Sequence, residues 1–315
     1  MMPNPACSST CAHTFADRHI HGIAGVDFAT SSVAAITAAL DLLASRRTTN
    51  VTASIPTVSV TALPEILQRL SPLVADNLLD GIHLEGPFIA QRFAGAHPHE
   101  HILAATSNLG CQVLDIIETH QTRQPSITMM TVAPETPGFG QLVHHLLDCG
   151  IVPALGHTAA TTQQMRDAID LIYDLTGHPV VITHCHNAMP PLHHRDPGPL
   201  LAVFEAAAAD MVRVELIADG FHLDYELIAW WLDNYPGVVR FVSDASAATL
   251  PRGYEPLSVA APQLGDVALR YDAGQRPVLA DGRTLASGGK DLLATHDALI
   301  AAGLAHDLIC AAMRR

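Results

Sequence analysis

The sequence predicts an α/β fold, a (β/α)8 barrel of the TIM type with a β-hairpin inserted after the eighth strand. Three observations carry this expectation. Short β-branched runs alternate with helix-length, apolar-periodic runs, and the strand–helix unit recurs eight times. Of the 315 residues, 49% are hydrophobic and 15% charged, enough apolar material for a large buried core. The length suits one barrel of about 250 residues plus insertions, so residues 1–315 are read as a single domain.

The expected strands are Thr14–His19, Asn50–Ile55, Gly81–Glu85, Ile127–Val132, Ile151–Gly156, Val180–His184, Arg213–Ala218 and Val238–Asp244. Ser32–Ser45 reads as the helix after the first strand and Pro64–Val74 as the one after the second. A long loop then precedes Leu109–His120, and Gly140–Cys149, Thr161–Leu175, Pro199–Ala209 and Tyr225–Asn234 continue the alternation. The pattern breaks at 251–288, which carries Pro251, Pro256, Pro262 and Pro277. There Val267–Tyr271 and Pro277–Ala280, joined around Asp272-Ala273-Gly274, read as a hairpin. Lys290–Ala302 closes the eighth unit as a helix.

Composition excludes several classes of function. Lys and Arg total 17 against 31 Asp and Glu, giving a net charge of −14. No basic stripe suggests a nucleic-acid partner. No apolar run approaches the roughly 18 residues of a membrane span, and no secretory signal is expected before the first strand. The six cysteines form no CxxC pair, which points to a reducing compartment, the cytoplasm. Cys7 and Cys11 read as free thiols. Histidine is over-represented, with 19 copies.

Several of these histidines fall where a barrel builds its active site. His19 and His21 lie at the end of strand one, Glu85 ends strand three, His157 follows strand five, His184 ends strand six and Asp244 ends strand eight. All lie on the C-terminal face of the barrel. Residues i and i+2 of a strand share a face, so His19 and His21 can turn to one point. Imidazoles and a carboxylate converging in a cleft suit zinc, or another borderline divalent ion such as iron. Each piece alone has a plain structural reading: a packed His pair, a helix-capping Glu, a hydrogen-bonded Asp. Their coincidence on five strand ends favours a site.

The motifs around these residues resemble the N-acetylglucosamine-6-phosphate deacetylase family of the metal-dependent amidohydrolases. The resemblance rests on His83-Leu84-Glu85-Gly86-Pro87-Phe88, Gly156-His157-Thr158 and Thr183-His184-x-x-Asn187-Ala188-Met189. It extends through His194-Arg195-Asp196-Pro197-Gly198, Ile217-Ala218-Asp219-Gly220-Phe221-His222 and Ser243-Asp244-Ala245, in the family's order. It implies a divalent metal on Glu85, His157 and His184, with Asp17-x-His19-x-His21 supplying a second in some members. Asp244 would be the general base and acid. Ala96 and His97 would meet the substrate amide, and Asp219 and His222 the sugar. Asn187, Ala188 and Arg195 would take the 6-phosphate, with Arg195 reaching from a partner subunit. Leu285 and Ser287, in Thr284–Gly288, would belong to a substrate-capping loop. The resemblance implies a phosphorylated amino-sugar substrate and a homodimer. A mean hydropathy of +0.23 also suggests a covered surface.

Three departures from the family pattern stand out. The small β-sandwich that flanks the family's barrel is not expected in this chain. Cys185-His186 stands where the family usually has apolar or aromatic residues and is expected to place an extra ligand-capable pair beside the metal. Ser287 stands where a glycine is usual. The alternatives are a deacetylase of another N-acyl amino sugar or a non-catalytic barrel.

Overall fold

A computed structural model describes residues 14–258, 261–274 and 276–314. Eight parallel strands lie side by side in chain order: β1 (Phe15–Ile20), β2 (Thr48–Ile55), β3 (Gly81–Glu85), β4 (Ile127–Val132), β5 (Val152–Leu155), β6 (Val180–Ile182), β7 (Val212–Ile217) and β8 (Val239–Val242). The ring is completed just beyond the strand ends. Asp244 donates its N–H to the His19 carbonyl at 2.8 Å, and His21 donates to Ala245 at 2.7 Å. The buried Asp17 carboxylate accepts the Ser243 N–H at 3.1 Å. Thus β1 and β8 are joined where the chain leaves them, which leaves their side chains converging on the barrel mouth.

Seven helices fill the crossovers: α1 (Val33–Ser45), α2 (Leu63–Ala75), α3 (Asn108–Arg123), α4 (Phe139–Asp148), α5 (Thr162–Thr176), α6 (Gly198–Ala208) and α7 (Tyr225–Asn234). Their starts follow sequence logic. Ser32 and Ser107 cap α1 and α3 through their hydroxyls, and Thr161 with Gln164 forms a reciprocal capping box on α5. The strands are covered on both faces, so they read as nearly continuous apolar runs. One core runs through the barrel, with Phe15, Phe28, Phe88, Trp231 and Phe241 fully buried.

The differences from expectation have local causes. Strands five, six and eight stop short of Gly156, His184 and Asp244. His157, His184 and Asp244 take left-handed backbone angles (φ +46°, +26° and +48°), which turn the chain out of the sheet. The expected single strand Val267–Tyr271 is divided. Val267–Ala268 pairs with Gln263–Leu264, and Arg270–Tyr271 pairs with Pro277–Val278. The closing helix is α8 (Leu292–Ala301), capped by Asp291, and a further helix, α9 (His306–Met313), follows it. Cys7 and Cys11 lie outside the described residues. Among the described residues, no helix is long and apolar enough to cross a membrane.

Candidate metal centre and substrate cleft

Glu85 is the hub of the barrel mouth. It is 3% exposed, and five imidazole Nε2 atoms surround its two oxygens. Oε1 meets His157 and His184 at 3.0 Å each and His19 at 3.4 Å, while Oε2 meets His21 and His97 at 3.2 Å each. Gly86 lets the chain turn away directly after this carboxylate. Its φ is +88°, and a Cβ there would stand 2.2 Å from Thr57 Oγ1, which bonds the Glu85 carbonyl. Asp244 completes the ring, with Oδ1 3.2 Å from His21 Nε2 and 3.5 Å from His19 Nε2.

The other ring nitrogens sort these histidines by role. His157 Nδ1 donates to the Phe93 carbonyl at 2.8 Å and His21 Nδ1 to the Ser54 carbonyl at 3.1 Å. His19 Nδ1 faces the Glu215 carboxylate at 3.4 Å. Each is thereby protonated on Nδ1 and turns an Nε2 lone pair toward the hub. His97 is the reverse. Its Nδ1 accepts the Thr57 backbone N–H at 2.9 Å, so its proton sits on Nε2. In this tautomer His97 donates its Nε2–H to Glu85 Oε2 at 3.2 Å and offers no lone pair to a metal. The Nδ1 of His184 is buried without a hydrogen-bond partner, and the ring is oriented by its Nε2 contacts and by packing against the His19 and His157 rings.

This donor set fits a divalent metal. Lone pairs of neutral imidazoles aimed at carboxylate oxygens repel one another unless a proton or a metal cation lies among them. Mixed N/O donors suit zinc or iron. Two groupings share Glu85, one with His97 and His157 and one with His19 and His21, and with His184 Nε2 also at Glu85 Oε1 the cluster has donors for one ion or for two.

The electrostatics show two carboxylates, Glu85 and Asp244, that draw positive charge onto their neighbours. Burial pushes the Glu85 carboxyl up, but the neighbouring His19, His97 and His157 outweigh it and hold the group well below its usual range. Burial also opposes a charge on His21, yet contacts to Asp244 and Glu85 raise it to about 9. His97 falls to about 4, because burial outweighs Glu85. Asp244 is held low, burial being overcome chiefly by the His21 hydrogen bond.

The cleft above the hub is lined by Ala96, His97, Asn187, Ala188, His222, Asp244 and Leu285, and also by Ile217, Leu264 and Thr284. Asp219 lies behind the wall, where its carboxylate holds His222 Nδ1 at 3.0 Å. Ser287 is also buried behind the wall, bonded to Ser246 at 2.7 Å. The loop carrying Leu285 is pinned over Asp244 by the Gly288 N–H, 2.7 Å from the Asp244 carbonyl. Only glycine fits at 288, since a Cβ would stand 1.9 Å from the Ser243 carbonyl oxygen. Arg195 is exposed and does not line the cleft of this chain.

Cys185 and His186 depart from expectation, because neither joins the cluster. Cys185 is buried and its thiol is pushed up to about 12. His186 accepts the Trp231 indole N–H at 2.8 Å within an aromatic group that includes Phe204. Sequence reasoning missed Glu215 and His83. Each is a polar residue between two apolar neighbours in a strand, Ile82 and Leu84 around His83 and Val214 and Leu216 around Glu215, which was the available signal. His83 packs edge-on to His19, with ring centroids 4.7 Å apart, and is tied to Ser54 and Thr131.

No protein-family model matches the chain. N-acetylglucosamine-6-phosphate deacetylase of Danio rerio is 33% identical over 250 residues, covering 76% of this chain and 59% of the relative. N-acetylgalactosamine-6-phosphate deacetylase of Escherichia coli O157:H7 is 34% identical over 217 residues, covering 66% and 52%. The solved structure of N-acetyl-D-glucosamine-6-phosphate deacetylase from Mycobacterium smegmatis, in complex with N-acetyl-D-glucosamine-6-phosphate, is 30% identical. It aligns with a TM-score of 0.78 over 96% of this chain and 75% of its own. The chain spans about three-fifths of the length of the curated relatives it matches.

Proposed function

The chain belongs to the N-acetylglucosamine-6-phosphate deacetylase family, and from that premise we propose that it hydrolyses the acetamide of N-acetylglucosamine 6-phosphate to acetate and glucosamine 6-phosphate. The observation that carries this reading is the Glu85 hub, with imidazole lone pairs on one side and the Asp244 carboxylate at the cleft floor.

Glu85, His157 and His184 would hold a zinc or iron ion, and His19 with His21 a second. A bound ion supplies Lewis-acid activation of the water and of the amide carbonyl. Asp244 accepts the proton of the attacking water, whose oxygen bonds to the carbonyl carbon. As the C–N bond breaks, Asp244 returns the proton to the leaving amine nitrogen. The Nε2–H of His97 donates to the carbonyl oxygen, where negative charge develops. His222, fixed by Asp219, faces the sugar. Backbone and amide groups at Asn187 and Ala188 meet the phosphate, and Arg195 reaches the cleft of a partner copy in a homodimer. The proposed setting is the cytoplasm.

The galactosamine-type relative supports a second reading, in which the sugar is N-acetylgalactosamine 6-phosphate. Acetate release from a panel of N-acetyl hexosamines, each with and without a 6-phosphate, decides. The first reading expects the glucosamine phosphate to give the highest kcat/KM. Absence of acetate release from every sugar, in metal-loaded protein, would defeat both readings.

A further inference from the structure

The opposite end of the molecule carries a second cluster of metal-binding side chains. His296 lies on α8, and His306 and Cys310 lie on α9. The i, i+4 spacing of His306 and Cys310 puts both on one face of α9, and that face meets His296. The three ligand atoms lie within 4.8 Å of one another. Cys310 Sγ is 3.5 Å from His306 Nε2. Metal bonds of about 2.3 Å to sulfur and 2.0–2.1 Å to nitrogen, at a tetrahedral angle, put those two atoms about 3.6 Å apart.

Two further observations point to a cation. The Nε2 of His296 is buried with no hydrogen-bond partner, although the residue is only 8% exposed. Both histidines also turn Nδ1 to a carboxylate: His296 to Asp297 at 3.0 Å and His306 to Asp307 at 3.5 Å. A proton held on Nδ1 in this way leaves Nε2 as the lone pair, which is the usual support for a metal-bound imidazole.

We propose that His296 Nε2, His306 Nε2 and Cys310 Sγ form a second metal site, for zinc or a similar thiolate-seeking divalent ion, that ties α8 to α9. Its role is structural. The His296 ring stacks 5.8 Å from Phe15 at the start of β1, on the barrel face opposite Glu85, and that face contributes stability rather than chemistry. His306 is half-buried and gives the ion a way in.

Cobalt(II) loading of the full chain tests this. Among the described residues the donors around Glu85 are nitrogen and oxygen only, so the part of a thiolate-to-cobalt charge-transfer absorption that depends on Cys310 reports the α8–α9 site. The expected result is such a band in the unaltered chain. Cys310→Ser should abolish it, bind one cobalt fewer per chain and keep acetate release per folded molecule within about twofold. His306→Gln, at a half-exposed position, should also abolish the band and serves if the serine variant folds poorly. No band at saturating cobalt, or a band that survives both substitutions, would overturn the proposal.

Discussion

The two histidine clusters are built differently, and the contrast supports reading the first as a reactive centre and the second as a brace. Around Glu85 the ligands come from the ends of β1, β3, β5 and β6, and Asp244 from the end of β8. Three of these residues, His157, His184 and Asp244, are held at positive φ, a strain a fold keeps only where the surroundings over-determine it. Two of the imidazoles are fixed by backbone carbonyls and one by a buried carboxylate. The α8–α9 cluster draws on one helical hairpin with ordinary helical geometry, and its supporting Asp297 and Asp307 are exposed. Groups gathered from across a barrel cost more to place and are pre-organised for charge. Groups gathered from neighbouring helices serve to hold those helices.

This contrast is sharpened most strongly at Asp244. Asp244→Asn is nearly isosteric, and an amide neither takes nor gives the proton. We expect kcat to fall by about 10²–10⁴-fold, with metal content within about twofold of the unaltered chain. If Asp244 only anchors β8, melting temperature falls and turnover per folded molecule survives. Next in size is Arg195→Ala. It should weaken binding of the phosphorylated sugar by about 1.5–3 kcal/mol and leave the unphosphorylated sugar unaffected. Equal losses for both sugars would make Arg195 structural. A monodisperse monomer in light scattering would remove its route to a partner's cleft.

Asp219 gives a pH-dependent effect of similar or smaller size. Burial alone raises its carboxyl, but His222 and the backbone N–H groups of Gly289 and His222 bring it to about 2. The unfolded value is about 3.9. Its folded pKa is therefore depressed, and its contribution is present above about pH 4 and lost as pH falls toward 2. His222 is raised by the same contact after burial is overcome, so its share is lost as pH rises above the usual histidine range. Asp219→Asn should cost about 2 kcal/mol near neutrality and flatten the acid-side fall of stability between about pH 4 and 2. An unchanged acid limb in chemical denaturation would contradict this.

Much of the fold was legible in the sequence, for a physical reason. The bounds of Gly81–Glu85, Ile127–Val132 and Tyr225–Asn234 coincide in sequence and structure, because apolar periodicity and turn residues set them locally. Strand ends at His184 and Asp244 were misplaced because their left-handed angles are imposed by the assembled barrel. Convergence on Glu85 was visible because strand ends of a barrel must share one face. The tautomer that makes His97 a donor was not visible, since it depends on the Thr57 N–H. Nor was the turning away of His186, which Trp231 captures. The His296, His306 and Cys310 cluster was hidden because α9 itself was not expected.

The central claim is that Glu85 organises the metal on which deacetylation depends, and Glu85→Gln tests it most directly. Metal content and acetate release from N-acetylglucosamine 6-phosphate should be measured on one preparation, alongside the cobalt–thiolate band. The expected result is loss of the ions bound at the barrel mouth and acetate release at background, with the Cys310 band unchanged. Full metal content and near-normal release in Glu85→Gln would contradict the account.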